Sequence, residues 1–121
     1  MPFKAAQRGV NCIMQDAQAA LGDGLTLCIP STIIHHCFYV KGNGAVSSGV
    51  VTIETASDPE FTGDWAPLVS NLTVPTANPI TVVATDEDIF VYQGVLAAVR
   101  ARISTAIVGG TVTVAYRGHT H

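Results

Sequence analysis

Most of this chain alternates apolar and polar residues with a period of two, and Gly, Pro, Asn or Asp interrupts every run. Ile34, His36, Phe38 and Val40 fall on one side of an extended segment, and Ile33, His35, Cys37 and Tyr39 on the other. Val51 and Ile53 oppose Thr52 and Glu54. Val99, Ala101 and Ile103 oppose Arg100 and Arg102, and Val112, Val114 and Tyr116 oppose Thr111, Thr113 and Ala115. A period of two is the signature of a strand with one buried face, and no segment carries a sustained helical period. Composition agrees. The chain has 15 Val, 9 Ile and 13 Thr but only six Leu and two Lys, a profile that fills pleated surfaces and starves helical bundles. The expected fold is all-β, an antiparallel β-sandwich or jelly roll of about seven to eight strands.

With 121 residues the chain has room for one core. Residues 1–10 are mixed, polar and small, and read as an N-terminal arm; residues 11–121 read as a single β-sandwich domain. Ile33–Lys41 and Val50–Thr55 are expected to pair as a hairpin, with Gly42-Asn43-Gly44 and Ser47-Ser48-Gly49 bracketing its turn. Leu25–Ile29 and Ile80–Thr85 are further strands. Asp86-Glu87-Asp88 is an acidic turn, and Gly109-Gly110 is the last turn before a closing strand. Ser57–Pro67 is a loop whose Trp65, the only tryptophan, should pack back on the sheet edge.

Six basic residues against nine acidic give a net charge of −3, which disfavours nucleic acid as a partner. Charged residues make up only 12% of the chain, against about 25% in an average soluble domain. Part of that deficit is Thr and Ser on outward strand positions. The remainder, notably Val95–Val99, Ala106–Val108 and Phe3, reads as surface that meets other proteins. No apolar stretch is long enough to span a membrane, and the start of the sequence has no apolar leader core. Cys12, Cys28 and Cys37 are odd in number and lack metal or redox spacing, so reduced thiols made in a cytosol are expected.

Catalytic and metal-binding patterns find little footing. His35 and His36 are adjacent in a strand and point to opposite faces, so they cannot share one metal; one is expected packed and one exposed. His119 and His121 are spaced two apart but stand at the chain's end. Asp58, Glu60 and Asp64, with Asp86, Glu87 and Asp88, lack the spacing of a calcium loop, and solvated carboxylates are expected. No Ser or Cys sits in an activating context. Gly42-Asn43-Gly44 has no following helix to hold a phosphate. Asn71-Leu72-Thr73 fits a glycosylation acceptor, which matters only in a secreted protein. The expectation is a protein without catalytic residues, cofactor or metal. Arg100 and Arg102 share one strand face and could meet carboxylates of a neighbouring subunit. Phe3, Lys4 and Arg8 could anchor the arm on a neighbour.

The order of several segments adds a resemblance. Asp16-Ala17-Gln18-Ala19-Ala20-Leu21-Gly22-Asp23-Gly24 is followed by Phe38-Tyr39-Val40, by Gly49-Val50-Val51-Thr52-Ile53-Glu54, and by Trp65-Ala66-Pro67-Leu68. The chain finishes with Ala98-Val99-Arg100-Ala101-Arg102-Ile103 and Gly109-Gly110-Thr111-Val112-Thr113-Val114-Ala115-Tyr116. Over residues 12–118 this resembles the head decoration, or cement, proteins of tailed bacteriophages, which have a jelly-roll β-sandwich. The resemblance implies a structural virion protein on the outer capsid, bridging major capsid protein subunits and self-associating as a dimer or trimer. The alternative is a tail or baseplate β-sandwich module that binds host-surface carbohydrate, which would need an exposed aromatic platform.

Overall fold

In the computed structural model, which describes residues 9–57, 65–72, 76–82 and 87–120, the chain is all-β. Seven strands form one antiparallel sheet: β1 (Gly9–Gln18), β2 (Leu27–Cys28), β3 (His35–Ala56), β4 (Ala66–Pro67), β5 (Ile80–Thr81), β6 (Glu87–Gln93) and β7 (Ala98–His119). Antiparallel order and strand number agree with the alternation. Two of the strands are far longer than the sequence suggests.

β3 and β7 each run for 22 residues and pair with each other from His35↔His119 to Ala56↔Ala98. The expected hairpin between Ile33–Lys41 and Val50–Thr55 does not form. Those two segments are the halves of β3, and Gly109-Gly110 joins the halves of β7 in the same way. The reason lies in the glycine pairing. Gly44 stands opposite Gly110 in the ladder, and Asn43 Nδ2 reaches across to Thr111 Oγ1 at 3.2 Å and Thr113 Oγ1 at 2.9 Å. The Gly-rich segment is thereby held as a ladder rung and cannot reverse the chain. Glycines inside a strand mark close backbone approach and bulges as readily as turns.

The corner shows in the register. Between Gly44/Gly110 and Val51/Ile103 the pairing slips and then recovers, through Ser48↔Val108 and Val50↔Thr105. The buried set changes parity across it. His36, Phe38 and Val40 point inward before the corner in β3, and Val51 and Ile53 after it. In β7 the inward residues are Val99, Ala101 and Ile103 first, then Val112, Val114 and Tyr116. An extra residue moves every later side chain to the other face, which is why bulges preserve one continuous core around a bend.

The first half of the ribbon carries β1 and β6 on its flanks, giving the order β1-β7-β3-β6. The second half carries β2 beside β7, and β4 and β5 beside β3. Inward side chains of both halves belong to a single cluster that includes Phe38, Phe90, Tyr116, Val51, Ile53 and Ile103. Gln15 on β1 ties the halves together, its Nε2 donating to the buried carbonyl of Ala101 at 2.8 Å. The sheet thus closes on itself as a sandwich around one core.

Of the apolar runs expected at the surface, Leu96, Ala98 and Val99 are buried while Val95 is 62% exposed; Ile107 is buried while Val108 is 54% exposed. Alternation continues through these runs, so Val95 and Ala97 in one, and Ala106 and Val108 in the other, face outward while their neighbours face the core. No helix among the described residues is long and apolar enough to cross a membrane.

Candidate assembly surface

The sandwich has three outward regions of distinct chemistry: a charged cluster on the second half, a broad four-stranded face on the first half, and the sheet margins.

The charged cluster centres on Arg100. Arg100 and Glu54 stand opposite each other on β7 and β3, and Arg100 Nε lies 2.8 Å from Glu54 Oε1. The Arg100 guanidinium also lies 4.3 Å from the centre of the Trp65 ring, where the ring's negative face attracts a cation. Asp23, in the turn between β1 and β2, approaches Arg100 Nη1 at 3.4 Å and Arg102 Nε at 3.7 Å. Arg100 is largely covered, whereas Arg102 and Asp23 are half exposed. The structure therefore gives Arg100 carboxylate partners within its own chain and leaves Arg102 the more accessible of the pair. The signal for this was in the strand faces, since Glu54 and Arg100 both point away from the core. The third participant, Asp23, needed the tertiary fold.

On the first half, directly opposite residues share a face, and the register lays out rows across four strands. Ile13, Ala115, Tyr39 and Ile89 form one outward row over β1, β7, β3 and β6. Asn11, Arg117, Cys37 and Val91 form the next, and His119, His35 and Gln93 belong to the one beyond. Ile13 and Ile89, at the two ends of the first row, are each about half exposed. This face is shallow and carries both apolar and charged groups, the composition of a contact surface more than of a reaction cleft.

The two histidines of the strand separate as expected. His36 is fully buried; its Nε2 donates to the Gly94 carbonyl at 2.7 Å, so its Nδ1 accepts the Tyr116 hydroxyl proton at 2.6 Å. Burial holds the His36 pKa below its ordinary value and pushes that of Tyr116 well above its own. His35 lies on the outward face opposite His119. Among the described residues no group of three or more His, Cys, Asp or Glu stands close enough to hold a metal. Cys12, Cys28 and Cys37 are free thiols. Asp58, Glu60, Asp64, Asp86 and His121 lie outside the described residues, as do Phe3, Lys4 and Arg8.

The margins are closed with care. Asn71 Oδ1 accepts from the Gln93 amide at 3.0 Å and its Nδ2 donates to the Gln93 carbonyl at 2.6 Å, so one side chain replaces a strand partner. Thr76 Oγ1 and Ser70 Oγ serve Val91 in the same way. On the second half, Asn78 pairs with both backbone groups of Ile53, between β5 and β4. Gly22 exchanges two backbone bonds with Ile103, and the Ile107 amide donates to the Ala19 carbonyl. Met14 O, on β1, takes the Leu25 amide. The stretch Gly9–Ile13 of β1 differs. It pairs with β7 on one side, and among the described residues no strand pairs with it on the other. The sequence alone did not distinguish this margin, because the caps come from Asn, Ser and Thr in loops.

No family model matches the sequence, and no curated protein sequence does. At the level of structure, the chain is similar to a protein derived from the SPBc2 prophage, YomS. The match has a TM-score of 0.65 over 91% of this chain and 91% of that one, at 14% identity, and establishes a shared fold.

Proposed function

We propose that the chain is a structural protein of a phage virion that binds the outer surface of the capsid and stabilises it by bridging major capsid protein subunits. The observation that carries this reading is the whole-length likeness of fold to a prophage-derived protein. Two features support it. The charged fraction is low, and the exposed face of the first half mixes an apolar row with Arg117. A rigid sandwich that binds only the assembled shell stabilises it by mass action, and many copies multiply a modest affinity per site. Self-association as a dimer or trimer suits capsid symmetry axes. Phe3, Lys4, Arg8 and Arg102 are the contact residues, with Arg100 shaping the surface around Arg102. Cryo-electron microscopy of the virion that carries this chain tests the proposal. Density for the sandwich on the outer capsid is expected; density confined to the tail favours the carbohydrate-binding alternative and overturns it.

A further inference from the structure

Among the described residues no strand pairs with the outer margin of Gly9–Ile13 on β1, in a protein that caps its other long edge. Natural edges are blunted by charge, proline, shortness or a covering segment. β2, β4 and β5 are two residues each, and β6 is capped by Asn71, Ser70 and Thr76. Gly9-Val10-Asn11-Cys12-Ile13 has no charge and no proline, and Ile13 is half exposed beside it. The chemistry that completes such an edge is another extended backbone, hydrogen bonded along its length.

The candidate strand is in the same sequence. The eight residues ahead of β1 include Lys4 and Arg8 and no acid, so the rest of the chain holds four basic residues (6 − 2) against all nine acidic ones. A segment of positive charge therefore precedes a body of net charge −5 (4 − 9). Asp16, exposed on β1 just beyond the open margin, offers it a local partner. Eight extended residues reach roughly 26 Å, more than the roughly 17 Å that five residues of margin require. Phe3 supplies an apolar side chain that could lie against Ile13.

We propose that residues 1–8 of one copy add as a strand to the Gly9–Ile13 margin of a second copy, so that arm exchange holds copies of this chain together. The choice of a second copy as occupant rests on the structural-protein reading, but the contact is measurable without a capsid. The test mixes two single-cysteine variants made in a background with the three native cysteines replaced by serine. One carries Phe3→Cys, the other Ile13→Cys. Oxidation of the mixture is expected to yield a disulfide-linked dimer joining one of each, and a Ser47→Cys partner in place of Ile13→Cys is expected to yield none. Light scattering of the protein lacking residues 1–8 is expected to show loss of the oligomer with an unchanged melting temperature of the sandwich. A full-length protein that is monomeric overturns the proposal. So does an oligomer that survives truncation, or a Phe3→Cys/Ile13→Cys double variant that links only within one chain. Capsid binding by the truncated protein is scored separately; its survival leaves the virion reading standing whatever the fate of arm exchange.

Discussion

Glu54 and Arg100 face each other across the central pair of strands, joined at 2.8 Å and both shielded from water, with the guanidinium lying over Trp65. Arg102, two residues along the same face, has only a 3.7 Å approach to an exposed Asp23. The two arginines look equivalent in the sequence but hold different places in the energetics. Arg100→Ala strips a covered carboxylate of its partner and uncovers a Trp face, which costs about 2–3 kcal/mol. Arg102→Ala removes an exposed pair and changes stability by no more than about 0.5 kcal/mol. Chemical denaturation of the two variants measures the contrast. Equal losses would show that the cluster does not discriminate between them.

A second contrast concerns the corner. Gly44 and Gly109 both have positive φ, 81° and 88°, which strains any residue with a β-carbon. A β-carbon at Gly44 meets nothing closer than 3.8 Å, whereas at Gly109 it runs into the carbonyl oxygen of Ala45. Gly44→Ala therefore bears only the conformational cost, about 1–2 kcal/mol. Gly109→Ala adds a clash with backbone that the paired long strands prevent from moving, and costs about 3 kcal/mol or more. Thermal melts of the two variants rank them, with Gly109→Ala the lower.

Those glycines also mark where sequence reading stops. Alternation sorted the residues of the long segments of β3 and β7 into two faces, because burial on one face is written into each pair of neighbours, but it did not say which face of Ile33–Lys41 is the inward one. It could not tell that Gly42-Asn43-Gly44 sits inside a strand, since glycine permits both a turn and a bulge. The outcome is decided by Asn43 reaching Thr111 and Thr113, nearly seventy residues away. The charged cluster was legible by half: the outward positions of Arg100 and Arg102 follow from parity, but Asp23 joins them only through the fold. Asn71 and Asn78 were the least legible. Their role as one-residue strand partners depends on which backbone groups lack a neighbour, and a loop asparagine carries no local sign of that.

His36 supplies a pH dependence whose direction follows from its surroundings. Both ring nitrogens are committed inside the core, Nε2 as donor to Gly94 and Nδ1 as acceptor from Tyr116. Burial disfavours the charged ring, the Gly94 carbonyl favours it, and the neighbouring His35 opposes it again; the balance lowers the pKa from its ordinary 6.5. Tyr92, packed beside the ring at 6.2 Å between centroids, completes the titratable surroundings. In the unfolded chain the imidazole takes up a proton near 6.5, while in the folded protein it stays neutral to lower pH. The stability that neutral His36 contributes is therefore complete above pH 6.5 and is lost as the pH falls below it, by up to about 1.4 kcal/mol per pH unit until the folded pKa is reached. Denaturant titrations between pH 5 and pH 8 measure that slope. In His36→Gln it is expected to flatten between pH 5 and pH 6.5, whatever the variant's absolute stability. Tyr116→Phe, which leaves Nδ1 without its donor, is expected to lower stability by about 1–2 kcal/mol at pH 8. An acid slope that is unchanged in His36→Gln would assign the dependence to other groups.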